Sequence, residues 1–129
     1  MRQSLHAVTL VVPDYDAAIS FYTQTLSFTL EQDIDLGDGK RWVRVAPPNA
    51  PEGSLLLAKA ADVDQNKAIG NQTGGRVGFF LATDDFHRDH AAMTAAGVTF
   101  EETPRHEPYG TVAVWRDPFG NRWDLIEFS

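Results

Sequence analysis

The sequence contains no cysteine. Disulfides, a thiolate nucleophile and cysteine-ligated zinc are therefore excluded, and any metal would have to use His, Asp, Glu or backbone oxygens. No apolar run approaches the roughly 20 residues of a membrane span. No cluster of lysine and arginine is present, and a net charge of −7 opposes binding to the phosphates of nucleic acid. The opening MRQSLHAVTLVV lacks a signal-peptide cleavage region, which makes a cytoplasmic location the expectation. There is no G-x-S-x-G motif. GNQTGG at 70–75 departs from the G-x-x-x-x-G-K-[ST] phosphate loop and precedes a strand rather than a helix.

What is present is ordinary for a globular protein: 129 residues, 43% hydrophobic and 22% charged. That length suggests one compact domain able to bury roughly two-thirds of its unfolded surface. The most informative feature is an internal repeat. HAVTLVVPDYDAAISFYTQTLSFTLEQ and VGFFLATDDFHRDHAAMTAAGVTFEE each read as an apolar strand, a helix opened by Asp, and a strand ending in acids. Asp14 and Asp85 are the N-caps. Tyr15, Ile19, Tyr22 and Leu26 share one face of the first helix; Phe86, His90, Met93 and Ala96 share one face of the second, which Gly97 ends. Three strands follow each helix, near 28–34, 41–46 and 54–60, then 98–103, 111–116 and 121–128. Pro47, Pro48, Pro51 and Pro104 fall between strands, where a missing N–H does least harm. Residues 61–75 read as a polar linker, with Gln72 and Thr73 placed to line a cleft rim.

The expected fold class is therefore α+β: paired βαβββ modules, about 4–60 and 75–129, forming a concave sheet with helices outside and a cleft between the halves. The last strand raises a question. In RWDLIEF, Arg122, Asp124, Ile126 and Phe128 alternate with Trp123, Leu125 and Glu127. Asp124 thus sits among large apolar side chains, where an ionised carboxylate is costly unless paired, hydrogen-bonded or bound to metal.

VTLVVPDYDAAISFYTQTLSF, GRVGFFLATDDFHRDHAAMTAAGVTF and YGTVAVWRDPFGNRWDLIEF, in this order, resemble the vicinal oxygen chelate superfamily of glyoxalase I, bleomycin-resistance proteins and extradiol dioxygenases. Ser27 stands where glycine is usual. The resemblance implies a homodimer and, in metal-dependent relatives, one divalent ion held by His or Glu from the first and last strand of each module. Carried over, those positions are Ala7, Leu56, Gly78 and Asp124. Only the last can ligate, so no metal and no cofactor is expected. His6 is adjacent to Ala7, but alternation puts it with Val8, Leu10 and Val12 on the helix-facing side; it becomes a ligand through a bulge or a one-residue register slip, and otherwise is a partly buried structural histidine.

Further candidates come from alternation and from loops. Arg76 alternates with Gly78, Phe80 and Ala82 and either meets a ligand anion, pairs with Asp124, or lies on a solvated rim. Trp42 and Arg44 alternate with Val43 and Val45 and either face a ligand or pack and solvate the surface. PRHEPYGT at 104–111 reads as a lid loop carrying Arg105 and Tyr109, with His106 and Glu107 solvated. His90 reads as a core-edge residue and His87 as a surface one. Either an arginine partner, Arg122, Arg44 or Arg76, or a cationic ligand is expected to offset the desolvation of Asp124. Two readings remain open: binding of a small organic molecule, as in the bleomycin-resistance branch, and metal-independent lyase or isomerase chemistry with Asp124 as acid or base. The alternative, a metal-dependent glyoxalase I-like lyase or ring-cleaving dioxygenase, is disfavoured by Ala7, Leu56 and Gly78.

Overall fold

A computed structural model describes residues 1–50 and 52–129; Pro51 lies outside the described residues. These form two compact units, Met1–Ile69 and Gly70–Ser129. The first contains β1 (Ala7–Val12), α1 (Tyr15–Ser20), β2 (Thr29–Gly37), β3 (Lys40–Ala46), β4 (Ser54–Lys59) and α2 (Val63–Ala68). The second contains β5 (Phe79–Ala82), α3 (Phe86–Ala95), β6 (Thr99–Phe100), β7 (Arg105–Glu107), β8 (Gly110–Arg116) and β9 (Arg122–Phe128). The sheet orders are β1-β4-β3-β2 and β5-β9-β8-β6, with β7 also paired to β8. In both, the first strand runs parallel to the last, so the repeat read from the sequence is a repeat of topology.

Alternation builds each core. Leu10, Val12, Val43, Val45 and Leu57 are fully buried and make up the inner face of the first sheet, while Tyr15, Ala18 and Tyr22 cover it from the helical side. Trp115, Leu125 and Phe86 do the same in the second unit, where the Trp115 and Trp123 rings stack with centroids 5.0 Å apart. The Asp caps form as the sequence predicts: Asp14 Oδ2 accepts from Ala17 N at 2.8 Å and Asp85 Oδ1 from Arg88 N at 3.1 Å.

The first helix continues through a π-helical turn, Phe21–Thr25, before the chain reverses at Ser27 with φ of 62°. Gly97, with φ of 94°, makes the matching reversal after α3. Asp14 and Ser27 are separated by one residue more than Asp85 and Gly97. The π turn absorbs that extra residue, so both repeats still end on a left-handed residue. Left-handed backbone costs a residue with a Cβ about 1–2 kcal/mol. Ser27→Gly is therefore expected to raise stability by about 0.5–1 kcal/mol, the gain being reduced by the greater freedom of glycine in the unfolded chain. A thermal melt checks this; an unchanged or lower midpoint overturns it.

Four expectations require correction. The stretch 61–75 is not all linker, because α2 occupies Val63–Ala68. Its start is built by Asp62, which accepts from Gln65 N, while the Gln65 side chain accepts from Ala61 N, both at 2.8 Å. The strand expected at 98–103 shrinks to Thr99–Phe100. Glu101 N still donates to Val114 O at 2.8 Å, but the carboxylate of Glu102, not a strand carbonyl, accepts from Val114 N at 2.9 Å. The lid loop at 104–111 is a hairpin: Arg105, His106 and Glu107 pair with Val112, Thr111 and Gly110. Finally, β5 begins at Phe79, so Arg76 lies outside it and is exposed.

Candidate functional site

The second unit contains the side chain that the sequence singled out. On β9, Glu127 accepts from the N–H of Phe86 at 2.6 Å, at the start of α3. Trp123 and Leu125 therefore face the helix side. Asp124 faces the opposite side with Arg122, Ile126 and Phe128. In the sheet register Asp124 lies between Phe80 of β5 and Val114 of β8. Phe80 is 65% exposed and Phe128 63%, so an apolar, partly aromatic surface flanks the carboxyl group.

Asp124 is half-buried, and its Oδ1 is shut off from solvent with no hydrogen-bond donor among the described residues. Burial raises its pKa above the usual aspartate range; the charges of Arg105 and Arg122 pull it down, and that of Glu102 pushes it further up. The expected arginine partner is absent because stronger geometry holds it elsewhere. Arg122 donates from Nε and Nη2 to Glu101 at 2.9 and 3.1 Å, and from Nη1 to Gly75 O at 2.9 Å. Arg105 donates to Glu102 and Glu107, each at 2.9 Å, and Tyr109 lies beside it. Glu107 is therefore an ion-pair member, not a freely solvated residue. Glu101 also receives Arg116 at 2.9 Å, and Arg122 holds its carboxyl below the usual range. Arg105, Arg122 and Asp124 are thus brought together, with Asp124 left over, while Tyr109 is half exposed beside Arg105.

Trp42 and Arg44 are also brought together, in the first unit. Trp42 Nε1 and Arg44 Nε both donate to Gln32 Oε1, at 2.9 and 2.7 Å, and Arg44 Nη1 donates to Ser54 Oγ at 3.0 Å. Arg44 is therefore a fixed, mostly buried cation, with Glu31 at 3.8 Å. Its register neighbours are Leu56 on β4 and Gln32 on β2. It also lines a pocket of about 240 Å³ that holds His6, Glu31 and Glu52. His6 precedes β1 and is exposed, not partly buried, because only its carbonyl is engaged, by Ser54. The Arg76 carbonyl accepts from Thr73 Oγ1 at 2.6 Å, and its side chain has no ion pair among the described residues. His90 packs between the rings of Phe86 and Phe100, as a core-edge residue does, and His87 is exposed.

Four participants escaped the sequence reading, among them Glu101, which holds Arg122 and Arg116. Gln32 joins Trp42 to Arg44, Glu102 replaces a strand carbonyl, and Phe80 sits beside Asp124. The acids that end the strand after α3 were a visible signal for Glu101 and Glu102. Gln32 and Phe80 become legible only once strand register is known.

The residues do not fit a divalent ion at the family's ligand positions. Ala7, Leu56 and Gly78 offer no ligating side-chain atom, and Asp124 alone is a single carboxylate. Among the described residues no group of three or more His, Asp or Glu is placed to hold a metal ion.

A family model described as the Glyoxalase/Bleomycin resistance protein/Dioxygenase superfamily matches residues 4–125. The chain belongs to that superfamily. Its superfamily relatives include an uncharacterized protein of Shewanella frigidimarina, 48% identical over all of this chain and 96% of the other. Among solved structures, UcmS2 is similar with a TM-score of 0.84 and 33% identity, covering 98% of each chain. TnmS3, an antibiotic binding protein from Streptomyces sp. CB03234, is similar with a TM-score of 0.78 and 30% identity, covering 99% of this chain and 98% of the other. The superfamily's shared fold does not by itself specify a reaction. Among the described residues no helix is long and apolar enough to cross a membrane.

Proposed function

We propose that this protein binds a small organic molecule on the Asp124 face of its second unit and does so without a metal ion. The observation that carries this reading is Asp124 Oδ1, a shielded acceptor with no donor, beside the exposed ring of Phe80. Buried polar atoms in folded proteins are nearly always satisfied, so an orphan at the edge of an apolar surface is a position that a ligand completes. The likeness to an antibiotic binding protein supports capture of a small molecule of that kind, and the exposed ring of Phe80 suits an aromatic one. On the first unit, Trp42 and the mostly buried Arg44 are held rigid by Gln32, and Arg44 lines a pocket there.

The test is a thermal-shift screen against divalent metals and a panel of aromatic antibiotics. A ligand present at about 100 times its Kd stabilises the native state by about 2.7 kcal/mol. Aromatic compounds are expected to raise the midpoint, and elemental analysis of protein purified without chelator is expected to find no stoichiometric metal. One tightly held zinc, nickel or iron per chain, with no organic compound shifting the melt, overturns the reading.

The raised pKa of Asp124 favours a second reading, metal-independent isomerase or lyase chemistry. A carboxylate in that position takes a proton from carbon beside a carbonyl and returns it to a neighbouring atom, which needs no oxidant. Conversion of a screened ligand by wild type but not by Asp124→Asn would establish it.

A further inference from the structure

The charges around Asp124 specify the ligand more closely. β8 brings Arg116 towards this face, β9 brings Arg122, and the segment from the end of β6 through β7 brings Glu101, Glu102, Arg105 and Glu107. β5 contributes no titratable side chain. Every arginine here is already committed: Arg105 to Glu102 and Glu107, and Arg116 and Arg122 to Glu101. Three arginines thus face four carboxylates, and Asp124 is the one without an ion pair. The remaining charge is a single negative one, set in an apolar surface rather than in water.

Resting on the binding reading above, we infer that the ligand is an aromatic monocation, whose protonated amine meets Asp124 while its ring lies against Phe80. The geometry supports both halves. Phe80 is the register neighbour of Asp124 on the adjacent parallel strand, so their side chains project to the same face. Phe80 is open to solvent, and its ring offers an apolar surface of a size that an aromatic ligand covers. An ammonium supplies the missing hydrogen-bond donor and the missing positive charge together. A neutral hydroxyl supplies only the donor. An anion meets the uncompensated carboxylate and is excluded. Charge-assisted bonds are roughly twice as strong as neutral ones, and the apolar setting weakens screening. The burial that raises the Asp124 pKa adds a pH signature: protonation at acid pH removes the charge that the amine answers.

Three fluorescent probes with one ring system separate these cases: 9-(aminomethyl)anthracene, 9-(hydroxymethyl)anthracene and anthracene-9-carboxylic acid. Titration of the intact protein near neutral pH is expected to give the amine at least about tenfold tighter binding than the alcohol, a preference of about 1.4 kcal/mol, with the acid weakest. The preference should shrink as wild-type protein is taken to acid pH, a measurement that needs no variant. Asp124→Asn should abolish it, whereas Phe80→Ala should weaken amine and alcohol alike and leave their ratio unchanged. Equal binding of all three probes, or tightest binding of the acid, overturns the cation inference but leaves small-molecule capture standing. So does an amine preference that persists in Asp124→Asn. Binding of none of the three overturns the inference too, and capture fails with it only if the antibiotic screen is also empty.

Discussion

Asp117→Ala is expected to lower stability by about 3 kcal/mol and the melting midpoint by roughly 10 °C. The DPFGN stretch between β8 and β9 is folded around this one carboxylate. Asp117 is 4% exposed and Asn121 3%, so the turn is inside the protein although it is polar. Asp117 Oδ1 accepts from Phe119 N at 3.0 Å and Asn121 N at 2.8 Å, and Oδ2 accepts from Asn121 Nδ2 at 2.7 Å. The backbone closes the same turn, with Asp117 N donating to Asn121 O at 3.0 Å and Gly120 N to Asp117 O at 3.2 Å. Each bond to a charged acceptor contributes about 1.5–3 kcal/mol net, and removing the acceptor strands donors that water reaches poorly. The values do not add fully, because the turn relaxes. Asp117→Asn, which keeps the shape and one acceptor oxygen, should lose about half as much. Denaturant melts of both variants are the measurement. A midpoint for Asp117→Ala within about 2 °C of wild type would show that the backbone bonds alone hold the turn.

Asp124→Asn is expected to act in the opposite sense: about 1 kcal/mol more stable than wild type near neutral pH, with ligand response lost. Asp117 is buried and satisfied; Asp124 is half-buried and is not. Its carboxyl pKa is raised in the folded state, mainly by burial. Between the unfolded value of about 3.9 and the higher folded value, the folded state therefore binds more protons than the unfolded one. Stability must then fall as pH rises through that window, and the cost is fully present above the folded pKa. Below the unfolded pKa both states are protonated and the cost vanishes. The advantage of Asp124→Asn should accordingly be largest near neutrality and close as the pH falls towards about 4. The gain is modest because Asp124 keeps some contact with solvent. Paired melts across pH, with and without a hit from the antibiotic screen, make the comparison. A variant less stable than wild type at neutral pH, with its ligand response intact, would make Asp124 a structural residue and place the site elsewhere.

These two aspartates lie seven residues apart, and the sequence distinguishes them only in part. Asp117 announces itself through Pro118, Gly120 and Asn121, because a turn is built by residues next to one another. Asp124 announces itself by interrupting the alternation of β9. The capping aspartates and the apolar faces are local in the same way. Each depends on spacings within one helix, strand or turn, and spacing is what a sequence displays. The donor set at Ala7, Leu56, Gly78 and Asp124 follows from the repeat together with the family resemblance.

The partners of Asp124 were decided otherwise. Three arginines and four carboxylates can pair in many ways, and residue order does not rank them. Glu101 reaches Arg122 across 21 residues of sequence, and does so because β6 lies beside β8 and β8 beside β9. Glu102 is turned to Val114 N, which fixes where Arg105 is held. Phe80 comes to Asp124 from 44 positions away through one parallel register. Strand register between distant segments, and the competition of several acids for one guanidinium, are set by the packed sheet as a whole. That competition leaves Asp124 unpaired, and only the tertiary structure shows its outcome.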